Sequence, residues 1–60
     1  MYYSAEASGD GFRGIVYRYG PIGDRVISVW KSSIAYSTRE EAINAAADWL
    51  EDNDFEAHLD

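Results

Sequence analysis

Residues 37–53, STREEAINAAADWLEDN, place apolar side chains at the spacing of one helix face. This apolar stripe consists of Ile43, Ala46, Ala47 and Leu50, with Trp49 at its edge. Thr38 and Glu41 form the T-x-x-E pattern of a capping box, which satisfies backbone N–H groups where a helix begins. Asn53 is a residue type that commonly ends a helix. The segment therefore predicts one C-terminal helix whose stripe is buried against the rest of the chain.

The residues before this helix alternate between apolar and polar, which is typical of strands. Three strands are predicted, over residues 2–7, 12–19 and 25–30, and residues 33–36 can extend the third strand after a kink. Residues 20–24, GPIGD, have the composition of a turn. The order β-β-β-α predicts an α+β domain of two layers, a three-stranded antiparallel β-sheet packed against one helix. One helix covers one face of such a sheet, so the other face stays open.

The chain has 60 residues, which suits a single domain over 1–60. We expect residues 53–60 to be an acidic tail that either docks through Phe55 and Leu59 or stays loose. The sequence has no cysteine, no signal-peptide pattern and no long apolar run. These features fit the cytoplasm and give no indication of a membrane partner.

Gly9, Gly11 and Gly14 spell G-x-G-x-x-G, a pattern shared with nucleotide-binding loops. A dinucleotide loop must open a helix, because the helix N-terminus holds the pyrophosphate, but a predicted strand follows here. A kinase needs a catalytic lobe for which this chain has no room. The string is therefore interpreted as a hairpin turn, with positive φ angles at Asp10-Gly11. Gly14 then marks a bulge or a close backbone approach.

Charge divides the chain into two unequal parts. Residues 1–39 hold three acidic and five basic residues, whereas residues 40–60 hold eight acidic residues and no basic one. The net charge of the whole chain is −6. The second part would repel DNA and RNA, so no direct nucleic-acid partner is expected.

Several of these acids occupy unfavourable places in the predicted helix. Asp48, Glu51 and Asp52 lie in its last turns, where the helix dipole disfavours anions and where like charges at i,i+3 and i,i+4 repel. Neighbouring carboxylates on a helix lie about 5–6 Å apart, close to the phosphate spacing of a nucleic-acid strand. We predict a partner-binding surface formed by Glu41, Asp48, Glu51, Asp52, Asp54 and Glu56. The alternative is a solvated face that keeps a small protein soluble.

Catalytic and metal sites receive little support. His58 is the single histidine, and Ser32 and Ser33 have no neighbouring base in the sequence. Residues 52–60 begin like a calcium loop, but Ala57 replaces the required glycine and the chain ends before the final glutamate. We expect no enzyme activity, no cofactor and no metal.

In format, this acidic, cysteine-free and aromatic-rich α+β chain resembles small phage-encoded inhibitors, above all anti-CRISPR proteins. The acidic stretch DWLEDNDFE, residues 48–56, also carries the resemblance. It implies a non-enzymatic inhibitor in the bacterial cytoplasm, which mimics DNA and blocks the basic, nucleic-acid-binding surface of a CRISPR-Cas effector subunit. The alternative function is an interaction or dimerisation module that uses the open sheet face with Tyr2, Tyr17 and Tyr19. A monomer or a weak dimer is expected.

Overall fold

The computed structural model describes residues 1–23 and 25–59; Asp24, in the predicted turn, and Asp60, in the predicted tail, lie outside the described residues. The elements are β1 (Tyr2–Ser8), β2 (Gly11–Tyr19), β3 (Val26–Lys31), α1 (Arg39–Asp52) and β4 (His58–Leu59). The strands form one sheet in the order β3-β2-β1-β4. The first three are antiparallel, as predicted, and α1 packs on the sheet to give the predicted α+β architecture.

The fourth strand was not predicted, so the expected three-stranded antiparallel sheet is wrong in strand number and in direction. β4 runs parallel to β1, with His58 opposite Tyr2 and Leu59 opposite Tyr3. The His58 backbone N–H donates to the Met1 carbonyl at 2.9 Å. A strand of two residues is too short to show alternation, which is why its sequence carries no signal. The mixed sheet uses residues that were expected to belong to an acidic tail.

The core lies between the sheet and α1. Val16, Ala46 and Leu50 are fully buried there, and Trp30 and Trp49 pack against them. The predicted helix stripe is rotated slightly, because Ala42 is fully buried while Ile43 and Ala47 are half-buried. Small residues on the helix let it lie close to the sheet, which favours Ala42 over the larger Ile43 at the centre of the contact.

Gly14 allows this close approach. A Cβ atom at this position would collide with the backbone carbonyl of Ala42 and crowd Ala46, so the predicted close backbone approach is confirmed. The bulge lies elsewhere, between Val16 and Tyr17. The buried Ser32 hydroxyl accepts from the Gly14 N–H at 3.0 Å and donates to the Ile34 carbonyl at 2.9 Å. These bonds hold the kink after β3 beside the same glycine.

The glycine string joins two strands, which agrees with the hairpin interpretation. Positive φ was predicted at Asp10-Gly11, but it is found at Gly9, where φ is 61°. A glycine at the first central position of a two-residue loop is the type II′ arrangement, which matches the twist of the flanking strands. After the kink, Tyr36 pairs with Phe12 at the start of β2, so the chain does continue beside the sheet.

The two capping residues are those predicted, although the reciprocal half of the capping box, from the Thr38 N–H to the Glu41 carboxylate, is replaced by hydroxyl bonds. The Thr38 side chain accepts from the Glu41 N–H at 3.2 Å, and the Glu41 carboxylate accepts from the hydroxyls of Ser37 and Thr38. Asn53 is the C-cap. The described chain contains no helix with the length and apolar character required to cross a bilayer.

Candidate acidic interface

The predicted acidic surface is built on α1 and the turn that follows it. Its six carboxylates are all exposed: Glu41, Asp48, Glu51, Asp52, Asp54 and Glu56. Two of them have neighbours, since Glu41 belongs to the N-terminal cap and Glu56 lies 3.7 Å from the His58 imidazole. Within residues 1–23 and 25–59, the other four carboxylates have no ion pair and no hydrogen bond. Their charge is therefore turned toward solvent.

Three of the six acids lie along one groove. Its rim consists of Glu41, Asp48 and Asp52, which follow each other at intervals of seven and four residues and so share a helix face. Its wall consists of Trp30, Tyr36 and Trp49, and Asn44 and Ala45 lie between the acids. The volume of this groove is about 460 Å³. We call it the acidic groove.

Aromatic stacking sets the wall of the acidic groove. The Trp30 and Trp49 rings lie 5.4 Å apart with 15° between their planes, so a residue at the end of β3 meets one on the helix. Phe55 continues the stack on the other side of Trp49 at 5.9 Å. Of the two residues expected to dock the tail, Phe55 contacts Trp49 while 43% exposed, and Leu59 pairs with Tyr3 through its backbone while its side chain is 61% exposed. This stack holds the acidic turn against the body of the protein.

The turn after α1 has an unusual residue for its backbone shape. The Asp54 N–H donates to the Glu51 carbonyl at 3.1 Å and the Phe55 N–H to the Leu50 carbonyl at 3.0 Å. These two bonds form a Schellman motif, in which the residue after the C-cap usually is glycine. Here it is Asp54, with φ of 57°. A carboxylate thus occupies a left-handed position, at the helix end where the dipole already disfavours anions.

The acidic groove combines two means of binding a cation. Carboxylates attract a guanidinium or ammonium group, and the faces of Trp and Tyr add a cation–π attraction when the cation lies within about 6 Å of a ring. The last turn of α1 contains no basic residue to compete for these acids. The remaining predicted residues, Glu51, Asp54 and Glu56, do not line the acidic groove and lie beside it at the helix end.

The aromatic wall of the acidic groove is not evident from the sequence. Trp30 and Tyr36 come from β3 and from the segment after it, and only the packing of the helix brings them next to Asp48. The adjacent pair Asp48-Trp49 was the available signal. That pair indicated a ring beside an acid. It did not indicate that the helix turns both side chains toward Trp30.

The other candidates take simpler places in the fold. The imidazole centre of His58 lies 5.6 Å from the centre of the Tyr2 ring, beside the sheet. The Ser32 hydroxyl is already hydrogen-bonded to the backbone of Gly14 and Ile34. Among residues 1–23 and 25–59, no three metal-ligating side chains come together. Comparison with protein-family models, with curated proteins and with solved structures gives no match.

Proposed function

We propose that this protein is a non-enzymatic inhibitor that binds the basic, nucleic-acid-binding surface of a protein through α1 and the turn after it. The partner we propose is a subunit of a CRISPR-Cas effector in the bacterial cytoplasm, where the inhibitor takes the place of DNA. The observation that supports this most is the set of exposed carboxylates, Asp48, Glu51, Asp52 and Asp54, that have no basic neighbour among the described residues.

Their placement argues for a role beyond solubility. Solubility needs acids anywhere on a surface, whereas these acids are gathered at the end of α1, where the helix dipole disfavours anions, and Asp54 also holds a left-handed backbone. A basic partner groove removes the repulsion between them when it binds. The same acids then stabilise the complex, although they destabilise the free protein.

The acidic groove adds shape to this charge. An arginine of the partner is favoured over a lysine, because its flat guanidinium stacks on an aromatic ring and donates to a carboxylate at the same time. Backbone phosphates offer a DNA-binding arginine charge without an aromatic face. Both faces of Trp49 are covered by Trp30 and Phe55, so the ring available to a partner arginine beside Asp48 is Tyr36, which supplies a contact that the DNA backbone does not offer.

The test is competition for DNA. Purified CRISPR-Cas effector complexes with their guide RNA are mixed with labelled target DNA, and DNA binding is measured with and without the protein. We expect loss of DNA binding by at least one effector type, and recovery when Asp48→Asn, Glu51→Gln and Asp52→Asn are combined. If no effector type is inhibited, the CRISPR-Cas partner is wrong.

A matched pair of variants separates local recognition from total charge. Asp48→Asn and Asp10→Asn each remove one exposed carboxylate, but Asp10 lies in the turn between β1 and β2. Asp48→Asn should weaken inhibition about tenfold or more, as loss of a desolvated charge contact does, and Asp10→Asn should change it little. Equal effects of the two variants would show that only net charge matters.

The acidic groove can also be probed without the partner. A short arginine-containing peptide is titrated into labelled protein, and the indole N–H signals of Trp30 and Trp49 are followed by NMR. We expect saturable shifts at these signals, smaller shifts with the lysine peptide of equal length, and none with Asp48→Asn and Asp52→Asn combined. Shifts spread evenly over the helix would contradict a defined cation-binding groove.

A further inference from the structure

The face of the sheet opposite α1 is not covered by any element of residues 1–23 and 25–59. Strand alternation and register place Tyr2, Ser4, Ile15 and Tyr17 on this face, next to Val26 and Ser28 of β3. All of these except Tyr2 border a shallow depression of about 460 Å³. We call this surface the open face.

The centre of the open face is apolar and already ordered by its own contacts. The Tyr17 ring lies 5.8 Å from the Tyr2 ring and 5.9 Å from the Tyr19 ring, and Tyr2 and Tyr19 are 5.1 Å apart. Tyr17 is only 8% exposed, although it points away from the helix. Tyr19 and Val26 beside it remain about half exposed. The cluster is a pre-formed contact surface with little side-chain entropy left to lose.

The hydroxyl of Tyr17 is the unusual atom in this cluster. It is buried, and it has no hydrogen-bond partner among the described residues. The large majority of buried hydroxyl groups in proteins have a hydrogen-bond partner, so each exception requires an explanation. Ser4 and Ser28 present further hydroxyl groups around the same depression. A second surface packed on this face can bond the accessible Ser4 and Ser28 hydroxyls, whereas the Tyr17 hydroxyl is covered by its own chain and is reached only if a covering side chain moves.

The charges of the open face differ from those of the rest of the molecule. The charged residues that border the depression are Glu6 and Lys31, which form a salt bridge at 2.6 Å with both side chains about half exposed. The border of the depression therefore carries no net charge, and Arg13, on the same face by strand alternation, donates to the Ser8 hydroxyl and the Ser32 carbonyl, whereas the whole chain carries −6. Two copies repel each other in every orientation that brings the acidic helices together, and this repulsion is smallest when the open faces meet.

We propose that the open face is where two copies of this chain associate. Under a two-fold axis, the apolar centre of one copy meets the same centre of the other, and Glu6 of each copy can approach Lys31 of its mate. The result is four layers, helix, sheet, sheet and helix, with the two sheets about 10 Å apart. The acidic helices then lie on the two outer surfaces, so this proposal is independent of the proposed inhibition.

The expected association is weak. Three strands about 4.8 Å apart and roughly 20 Å long offer about 300 Å² per copy, so the interface buries about 600 Å² in total, well below the roughly 1,200–2,000 Å² of stable complexes. A dimer should therefore form only as the protein concentration rises from micromolar toward millimolar.

Sedimentation velocity over that concentration range, combined with NMR of labelled protein, tests the proposal. We expect the average mass to rise toward that of a dimer, and the backbone signals of Tyr17, Tyr19 and Ser28 to shift with concentration. A constant monomer mass up to millimolar protein would overturn the proposal. Concentration-dependent shifts confined to α1 would also overturn it.

Two charge-matched variants locate the interface. Val26→Arg places a cation on the open face, at a side chain that is 56% exposed, and Ile22→Arg places one in the turn before β3, at a side chain that is 84% exposed. Neither side chain is buried, so both variants should fold. Val26→Arg should weaken self-association at least about tenfold, and Ile22→Arg should leave it unchanged or strengthen it slightly by lowering the net charge.

The same variants separate this proposal from the proposed inhibition. If Val26→Arg remains able to block DNA binding while it no longer dimerises, the two surfaces are distinct, as proposed. If Val26→Arg leaves self-association intact, the open face is not where the two copies meet. If the parent protein does not self-associate and Val26→Arg abolishes binding of the basic partner, the open face binds that partner and not a second copy.

Discussion

The two ends of α1 differ in how well their residues suit a helix terminus. At the first turn, Thr38 caps the helix, Glu41 accepts two hydroxyl hydrogen bonds, and both acids of that turn face the favourable end of the dipole. At the last turn no basic residue is present, and Asp54 holds a left-handed backbone in a place that suits glycine. One helix thus begins with the most favourable local chemistry and ends with some of the least favourable.

The difference shows which forces hold each end. The first turn is stabilised by its own hydrogen bonds, which the sequence encodes within residues 37–41. The last turns are stabilised by packing instead, because Leu50 is fully buried and Trp49 lies between Trp30 and Phe55. Burial of a large side chain stabilises by more than a misplaced surface charge costs, so the last turns can carry their acids.

The largest expected effect comes from removing that packing. Leu50→Ala should lower the free energy of unfolding by about 2–5 kcal/mol, because it opens a cavity under the acidic turns. Leu59→Ala changes the same residue type where it is 61% exposed, and should cost less than about 1 kcal/mol. Urea unfolding of both variants measures the contrast. Equal losses would mean that packing does not hold the C-terminal end.

Neutralising the last turns should have the opposite sign. Asp48→Asn, Glu51→Gln and Asp52→Asn together should raise the free energy of unfolding by about 1–2 kcal/mol at low salt, since they remove dipole and like-charge repulsion. The gain should shrink as salt screens the parent protein. Thermal unfolding at low and at high ionic strength checks both statements. A triple variant that is no more stable than the parent at low salt would contradict the assignment of strain to this end.

The N-terminal cap predicts a smaller effect. Thr38→Ala should destabilise the protein by about 1 kcal/mol, through loss of the hydroxyl that accepts from the Glu41 N–H. Thr38→Ser keeps this hydroxyl and should retain most of the stability. Chemical denaturation of the two variants decides the matter, and a Ser variant as unstable as the Ala variant would exclude capping as the cause.

The smallest expected change is at the turn itself. Asp54→Gly should stabilise by about 0.5–1 kcal/mol, because glycine adopts positive φ without a Cβ penalty. Asn53→Gly is the control, since Asn53 has φ of −101° and its side chain donates to the Trp49 carbonyl at 2.8 Å. This control should lose stability in the same unfolding assay. If Asp54→Gly also loses stability, the aspartate side chain contributes more to the turn than its geometry indicates.

Local chemistry explains which parts of the fold could be predicted. The helix limits follow from Thr38, Glu41 and Asn53, whose bonding partners lie within four residues along the chain. The three antiparallel strands follow from alternation. β4 could not be predicted, because its two residues form a strand only through pairing with Met1, Tyr2 and Tyr3 at the opposite end of the chain.

The candidate site shows the same division. Its acids were visible from composition and helix spacing alone. The acidic groove was not, because its wall requires Trp30 to reach Trp49 across the core, and that contact depends on how closely the helix approaches Gly14. The buried stripe contains Ala42 where Ile43 was predicted for the same reason, since the fit of small residues on the sheet sets the rotation of the helix.

The stacked tryptophans give the protein an optical property of its own. Trp30 and Trp49 are the two tryptophans of the chain, and their rings lie nearly parallel at 5.4 Å. Electronic transitions of two indoles at that separation couple, and a chiral arrangement of them produces a pair of circular dichroism bands of opposite sign. Those bands report the contact between β3 and the helix, separately from the helix signal, in unlabelled protein.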